Sequence, residues 1–147
     1  MSVANPILEK WIARTLESYP CAALPFLSGQ DDPFRNPVGQ TLHQSLTALF
    51  EQLQGDMDAS VIAPALDAII RIRAVQELTP SQAVGFLFLL KPIMRELAPE
   101  QDQAQLADRM DQLALMAFDK YMLCREQVAE VRWSERQRRV RAHPVVG

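Results

Sequence analysis

The chain has only two cysteines, Cys21 and Cys124, far apart and outside any CxxC, CxxCH or Cys/His cluster. Neither a haem-attachment motif nor a zinc framework can be built on them, and a reduced, cytoplasmic setting is the simplest expectation. Histidine is as scarce: His43 and His143 are the two, and no HxxxH or ExxH spacing surrounds either. No metal site is expected. Also missing are the GxSxG elbow, the GxGxxG turn and the GxxxxGK[ST] phosphate loop, so no recognisable machinery runs a reaction and the expectation is a protein that is not an enzyme. No apolar run approaches the roughly 20 residues that span a bilayer. The longest, AVGFLFLL from Ala83 to Leu90, reads as a buried helix segment. The N-terminal MSVANPILEKWIARTL lacks a basic region followed by an apolar one. Any membrane association is therefore expected to go through a partner. Finally, no segment alternates long enough to form a strand, and there is no internal repeat or low-complexity tract.

What is present is helix. The 147 residues, 48% of them hydrophobic, suffice for one compact domain with a real core. The first helix is announced by Asn5 and Pro6, a cap and a proline at the first helical position. Its stripe is Ile7, Leu8, Trp11, Ile12, Leu16 and Tyr19, and Pro20 ends it. Pro33 and Pro37 then hold the chain extended on either side of Phe34, and Gly39 releases it into a helix with Leu42, Leu46, Leu49, Phe50 and Leu53 inward, closed by Gly55. A third helix is predicted from about Ser60 to Glu77, with Val61, Ile62, Leu66, Ile69, Ile70 and Val75 inward and Pro64 in its first turn. Thr79 and Pro80 open a fourth, apolar nearly all round from Ala83 to Leu90 and kinked at Pro92; it should be the most buried helix.

After Pro99 a helical pattern runs from about Glu100 to Arg141 with no internal proline or glycine. Forty residues of helix span about 60 Å, roughly twice a small domain, so this helix either breaks or projects. Its stripe of Leu106, Met110, Leu113, Ala117, Tyr121, Cys124, Val128 and Val131, with Phe118, Met122 and Trp133 beside it, is core-like until about Trp133. Beyond lies SERQRRVRAHPVVG, basic and nearly free of core residues. The expected organisation is one helical domain over 1–133 and a basic helical extension over 134–147. Five main helices imply an all-α fold, either a bundle or a globin-like packing.

Each candidate for chemistry has a plainer reading. His43 alone could ligate haem in a globin-like packing, but a partly exposed structural histidine is preferred and no cofactor is expected. Asp31 and Asp32 precede a proline and read as a turn; Asp56 and Asp58 read as a loop or helix cap. Ser81 has no base near it in sequence. Met57, Met94, Met110, Met116 and Met122 read as core filling before they read as a groove, and the two cysteines as small buried hydrophobes. The strongest charge feature is the end of the last helix: Arg132, Arg136, Arg138, Arg139 and Arg141, with Trp133 among them. Nucleic acid would want more stacking side chains than this one tryptophan. A solvated helical extension that meets an acidic partner, an anionic membrane surface or a second copy of the chain fits these residues better.

Two short stretches, FRNPVG (Phe34 to Gly39) and SQAVGFLFLLK (Ser81 to Lys91), carry a resemblance. In their order and spacing the chain resembles the RsbRD N-terminal domain family, named for the RsbT co-antagonist proteins of bacterial stress signalling. The likeness runs from the Trp11 helix through Tyr19-Pro20 and the NPVG joint to the long last helix. It implies a helical sensory or regulatory input domain, related to non-haem globin-like sensor domains and without catalytic residues. Stand-alone members occur in anaerobic, sulfur- or metal-respiring bacteria, often linked to membrane redox complexes. Unlike the co-antagonists, the chain is expected to carry no STAS-type output domain after the helices. The resemblance also makes FRNPVG a shape-defining joint, with Phe34 in the core, Asn36 satisfying backbone groups, and Pro37 and Gly39 setting the entry to the helix.

The leading expectation is thus a non-enzymatic regulatory module, homodimeric through its last helices, that binds a protein partner. Two alternatives stand beside it. One is a protein holding haem or another apolar ligand between the helices that bear Phe86, Phe88, Met116 and Met122. The other is a nucleic-acid-binding regulator acting through the arginine-rich tail.

Overall fold

The computed structural model describes residues 5–18, 37–76 and 78–142. Every regular element among them is helical: α1 (Pro6–Glu17), α2 (Pro37–Gln54), α3 (Ala59–Ala74), α4 (Pro80–Val84), a 3₁₀ turn (Gly85–Leu87), α5 (Leu90–Leu97) and α6 (Gln103–Ala142). The fold is all-α with a long C-terminal helix. Phe34 and Asn36, together with Cys21, Asp31, Asp32 and His143, lie outside the described residues.

Local chemistry accounts for most of the boundaries. Asn5 Oδ1 accepts from the backbone N–H groups of Ile7 (3.0 Å) and Leu8 (3.4 Å), satisfying two of the orphan donors that open α1. Asp58 does the same for α3 and Asp102 for α6, accepting from Ser60 N–H and Gln105 N–H. At α4 the cap is reciprocal: Thr79 Oγ1 accepts from Gln82 N–H while Gln82 Oε1 accepts from Thr79 N–H. Pro37 is the first residue of α2, so Gly39 stands inside that helix rather than releasing the chain into it.

Gly55 directly follows α2 as expected, and two residues on Met57 takes the left-handed backbone, at φ 54°, held by its N–H bond to Gln52 O. Three further expectations need correction. In α3, Pro64 is past the first turn, while Val61 and Val75 point outward because the stripe of Ile62, Leu66, Ile69 and Ile70 already fills the inner face. The stretch after Pro80 is not one kinked helix. It breaks into α4, the 3₁₀ turn and α5, which places Pro92 in the first turn of α5. The Phe88 carbonyl that a proline ring would strike in a continuous helix accepts instead from Lys91 N–H, 3.3 Å away. This break also turns Phe88 outward, although Ala83, Val84, Phe86, Leu87 and Leu90 are buried. Finally, burial along α6 ends at Cys124, earlier than Trp133.

The core is a single cluster in which α2 packs along α3, α3 along α6, and α1 bridges α2 and α5. Trp11 of α1 is fully enclosed, and its indole N–H donates to Phe86 O at 2.8 Å across the domain. An apolar body with a satisfied polar edge suits an indole to this position.

Candidate functional site

The long helix α6 organises the molecule. Along its first half Leu106, Met110, Leu113, Ala117, Tyr121 and Cys124 repeat at three- and four-residue spacing and are buried. Side chains on and beside that stripe reach the ends of other helices and the link between α3 and α4. Arg109 donates to Leu53 O in the last turn of α2 (2.8 Å), and Arg125 donates to Ala74 O, the last residue of α3 (2.8 Å). Tyr121 donates its hydroxyl to Leu78 O, between α3 and α4 (2.6 Å). Carbonyls at helix C-termini lack intrahelical partners and carry the negative end of the dipole, so cations and hydroxyl donors are suited to them. Displacing α6 therefore pulls directly on the ends of α2 and α3.

A second anchoring residue sits on α3. Arg73 is 1% exposed, yet its guanidinium donates to Ala83 O (2.7 Å), Gln82 O (2.6 Å) and Ser18 Oγ (3.2 Å), and it lies 5.2 Å from the Phe86 ring centroid. It joins the C-terminal end of α1 to α4 and the turn after it. Sequence reasoning passed over this residue. The signal was present, since Arg73 continues the helical spacing of Leu66, Ile69 and Ile70 and so falls on the apolar face.

Beyond Cys124 the helix continues unbroken to Ala142 and leaves the domain. Arg132, Trp133, Arg136, Arg138, Arg139 and Arg141 are all exposed there, Trp133 at 62%. At the root of this projection, the end of α3 and the flank of α6 border an open cleft of about 430 Å³ lined by Val75, Cys124, Val128 and Val131 and by the charged Arg71, Arg132 and Glu135. Arg71 pairs with Asp67 at 2.7 Å, and that hydrogen bond raises its pKa. Burial pushes the pKa of the Cys124 thiol upward, with nearby Asp67 adding to the effect against Arg71 and Lys120.

The other candidate residues scatter. His43 is exposed on α2, its carbonyl accepting from Thr47 Oγ1 at 2.7 Å. Among the described residues no group of three or more histidine, cysteine or acidic side chains is placed to hold a metal. Ser81 hydrogen-bonds Thr79 at the exposed start of α4. Phe86 is buried and hydrogen-bonded at its carbonyl, Phe88 and Met122 are exposed, and the cleft described above is lined by none of the four residues expected to surround an apolar ligand.

Residues 5–138 match the family described as the RsbT co-antagonist protein rsbRD N-terminal domain. The chain belongs to this family. The match covers every described helix from the α1 cap into the projecting part of α6. A search of curated proteins and of solved structures found no match. RsbRD N-terminal domains are regulatory signalling domains, not a known enzyme family, and no helix among the described residues is long and apolar enough to cross a membrane.

Proposed function

We propose that this RsbRD N-terminal domain is a non-enzymatic, cytoplasmic regulatory module that works by binding a protein partner through the projecting end of α6. The observation that carries the reading is the pairing of two properties in one helix. Up to Arg125 it is bonded to the ends of α2 and α3 through Arg109 and Arg125 and to the link between α3 and α4 through Tyr121; its far end carries Trp133 and five arginines into solvent. A shift in core packing would change the angle at which the exposed half is presented, and a partner bound there would bias the core in return. The outer face of α6 supports self-association as well. Leu115, Phe118 and Met122 follow three- and four-residue spacing on the side away from the core and are exposed. On this view the chain is a homodimer through α6, serving stress signalling or a respiratory redox complex.

Native mass spectrometry of the untagged protein, purified without oxygen, tests this reading. A dimer at the mass of two bare chains is expected, reduced to monomer by Leu115→Glu with Phe118→Glu. A monomer carrying a small molecule that is lost on denaturation would overturn it and return attention to His43.

A further inference from the structure

The stripe that α6 presents to the domain outlasts the domain. After Ala117, Tyr121 and Cys124, the same spacing runs on through Val128 and Val131 to Glu135. Val131 is 59% exposed, and Val75, at the end of α3 on the other wall of the cleft, is 60% exposed. The apolar surface that buries Cys124 thus continues outward as an open corner between two helices. Its surroundings are basic. Arg132 and Glu135 line the cleft, and Arg138 and Arg139 lie three and four residues past Glu135, flanking the line of the stripe. With Arg71 on the α3 side paired to Asp67, the charges of α6 that line the cleft or follow its stripe are Arg132, Arg138 and Arg139 against Glu135.

We propose that this cleft seats an acidic amphipathic helix of a protein partner, an inference that rests on the partner-binding reading above and names the partner's chemistry. Two apolar side chains one turn apart on the incoming helix enter among Val75, Val128 and Val131, and carboxylates on its flanks meet Arg132, Arg138 and Arg139. Helix-in-groove recognition works through anchors at such spacing. A second copy seated through the same surface would bring its own Arg132, Arg138 and Arg139 against these. Charge complementarity selects an acidic segment, since a basic helix of the same shape would meet like charges along its length.

The test uses the full chain and a fluorescein-labelled synthetic helix with leucines at i, i+3, i+4 and i+7 and glutamates elsewhere, followed by fluorescence anisotropy. A second peptide carries lysines in place of the glutamates. Val75→Glu and Val131→Glu alter exposed side chains, and circular dichroism checks that each variant stays folded. The acidic peptide is expected to bind, the lysine peptide to bind at least about tenfold more weakly, and either variant to lose about tenfold or more. No binding of the acidic peptide to the unmodified chain overturns the inference. Unchanged binding by both valine variants, with loss in Arg138→Glu and Arg139→Glu, also overturns it, while leaving the partner reading standing on the basic end alone. If Val131→Glu instead converts a dimer to a monomer in sedimentation, a second copy covers the cleft and the acidic partner is overturned.

Discussion

A guanidinium that is almost wholly enclosed is tolerable only when its donors find acceptors, because an ionised group stripped of water and left unpaired costs far more than a domain's margin of stability. Arg73 meets that condition by collecting carbonyls at the end of α4 and the hydroxyl that ends α1. Arg73→Leu keeps an apolar stem and removes the donors, leaving two carbonyls stranded. A loss of about 3–5 kcal/mol in urea unfolding is expected. Arg73→Lys should recover little of it, since an ammonium cannot reach acceptors that a planar fork spans. An unchanged midpoint in either variant would remove Arg73 from its anchoring role. The thiol of Cys124 gives a chemical test of the same interior. The folded chain holds that proton more tightly than the unfolded one. Its contribution to stability is therefore complete below the unfolded value of about 8.5 and fades as pH rises through the higher folded value. With Cys21→Ser removing the other thiol, Cys124 should react with iodoacetamide at about pH 8 much more slowly in the native protein than in urea. Equal rates would place Cys124 outside the core.

At the scale of elements, the break between α4 and α5 is the informative one. Gly85 begins the 3₁₀ turn with φ −61° and ψ −21°, values any residue adopts, and a Cβ built there meets nothing within 4 Å. Its flexibility serves no turn that needs it, so Gly85→Ala should stabilise the domain by roughly 0.4–1 kcal/mol through the unfolded chain alone. A loss of stability in thermal unfolding would mean that the turn must deform in function. The opposite dependence on pH to that of Cys124 belongs to the start of α3. Two hydrogen bonds from Ser60 hold the Asp58 carboxyl below its usual range. That cap is in force above the unfolded carboxyl value of about 3.9 and is lost as pH falls through the lowered folded value. These elements also show what was legible beforehand. Asn5-Pro6 and Thr79-Pro80 act locally, within four residues, and their caps could be read from the letters. The run AVGFLFLL could not be phased, because a segment apolar on all sides has no preferred face and the chain was free to break before Pro92 rather than bend at it. The ties from Trp11 to Phe86, Tyr121 to Leu78 and Arg125 to Ala74 join residues far apart in the chain. Only the fold brings them together, and the same holds for the cleft, whose walls come from α3 and α6.

For the whole molecule, the decisive property is that one continuous helix is both core and projection. The exposed arginines of its far end were evident in the sequence, as was the buried stripe; where one gives way to the other depends on where α3 ends, at Ala74, whose carbonyl accepts from Arg125. A helix gains most of its stability from packing, and an exposed stretch of a few turns is marginal alone. Protection against hydrogen exchange should therefore fall along α6 without any break in its geometry. Amides around Met110 to Cys124 should exchange only with global unfolding, while those beyond Trp133 should open locally at little cost. Raising the protein concentration should slow exchange first near Leu115 to Met122, if α6 pairs through its outer face. Adding the acidic peptide should slow it from Val128 outward. Uniform protection along all of α6 in the dilute protein would mean that its far half is covered within a single chain, and the projection would cease to be the feature a partner reads.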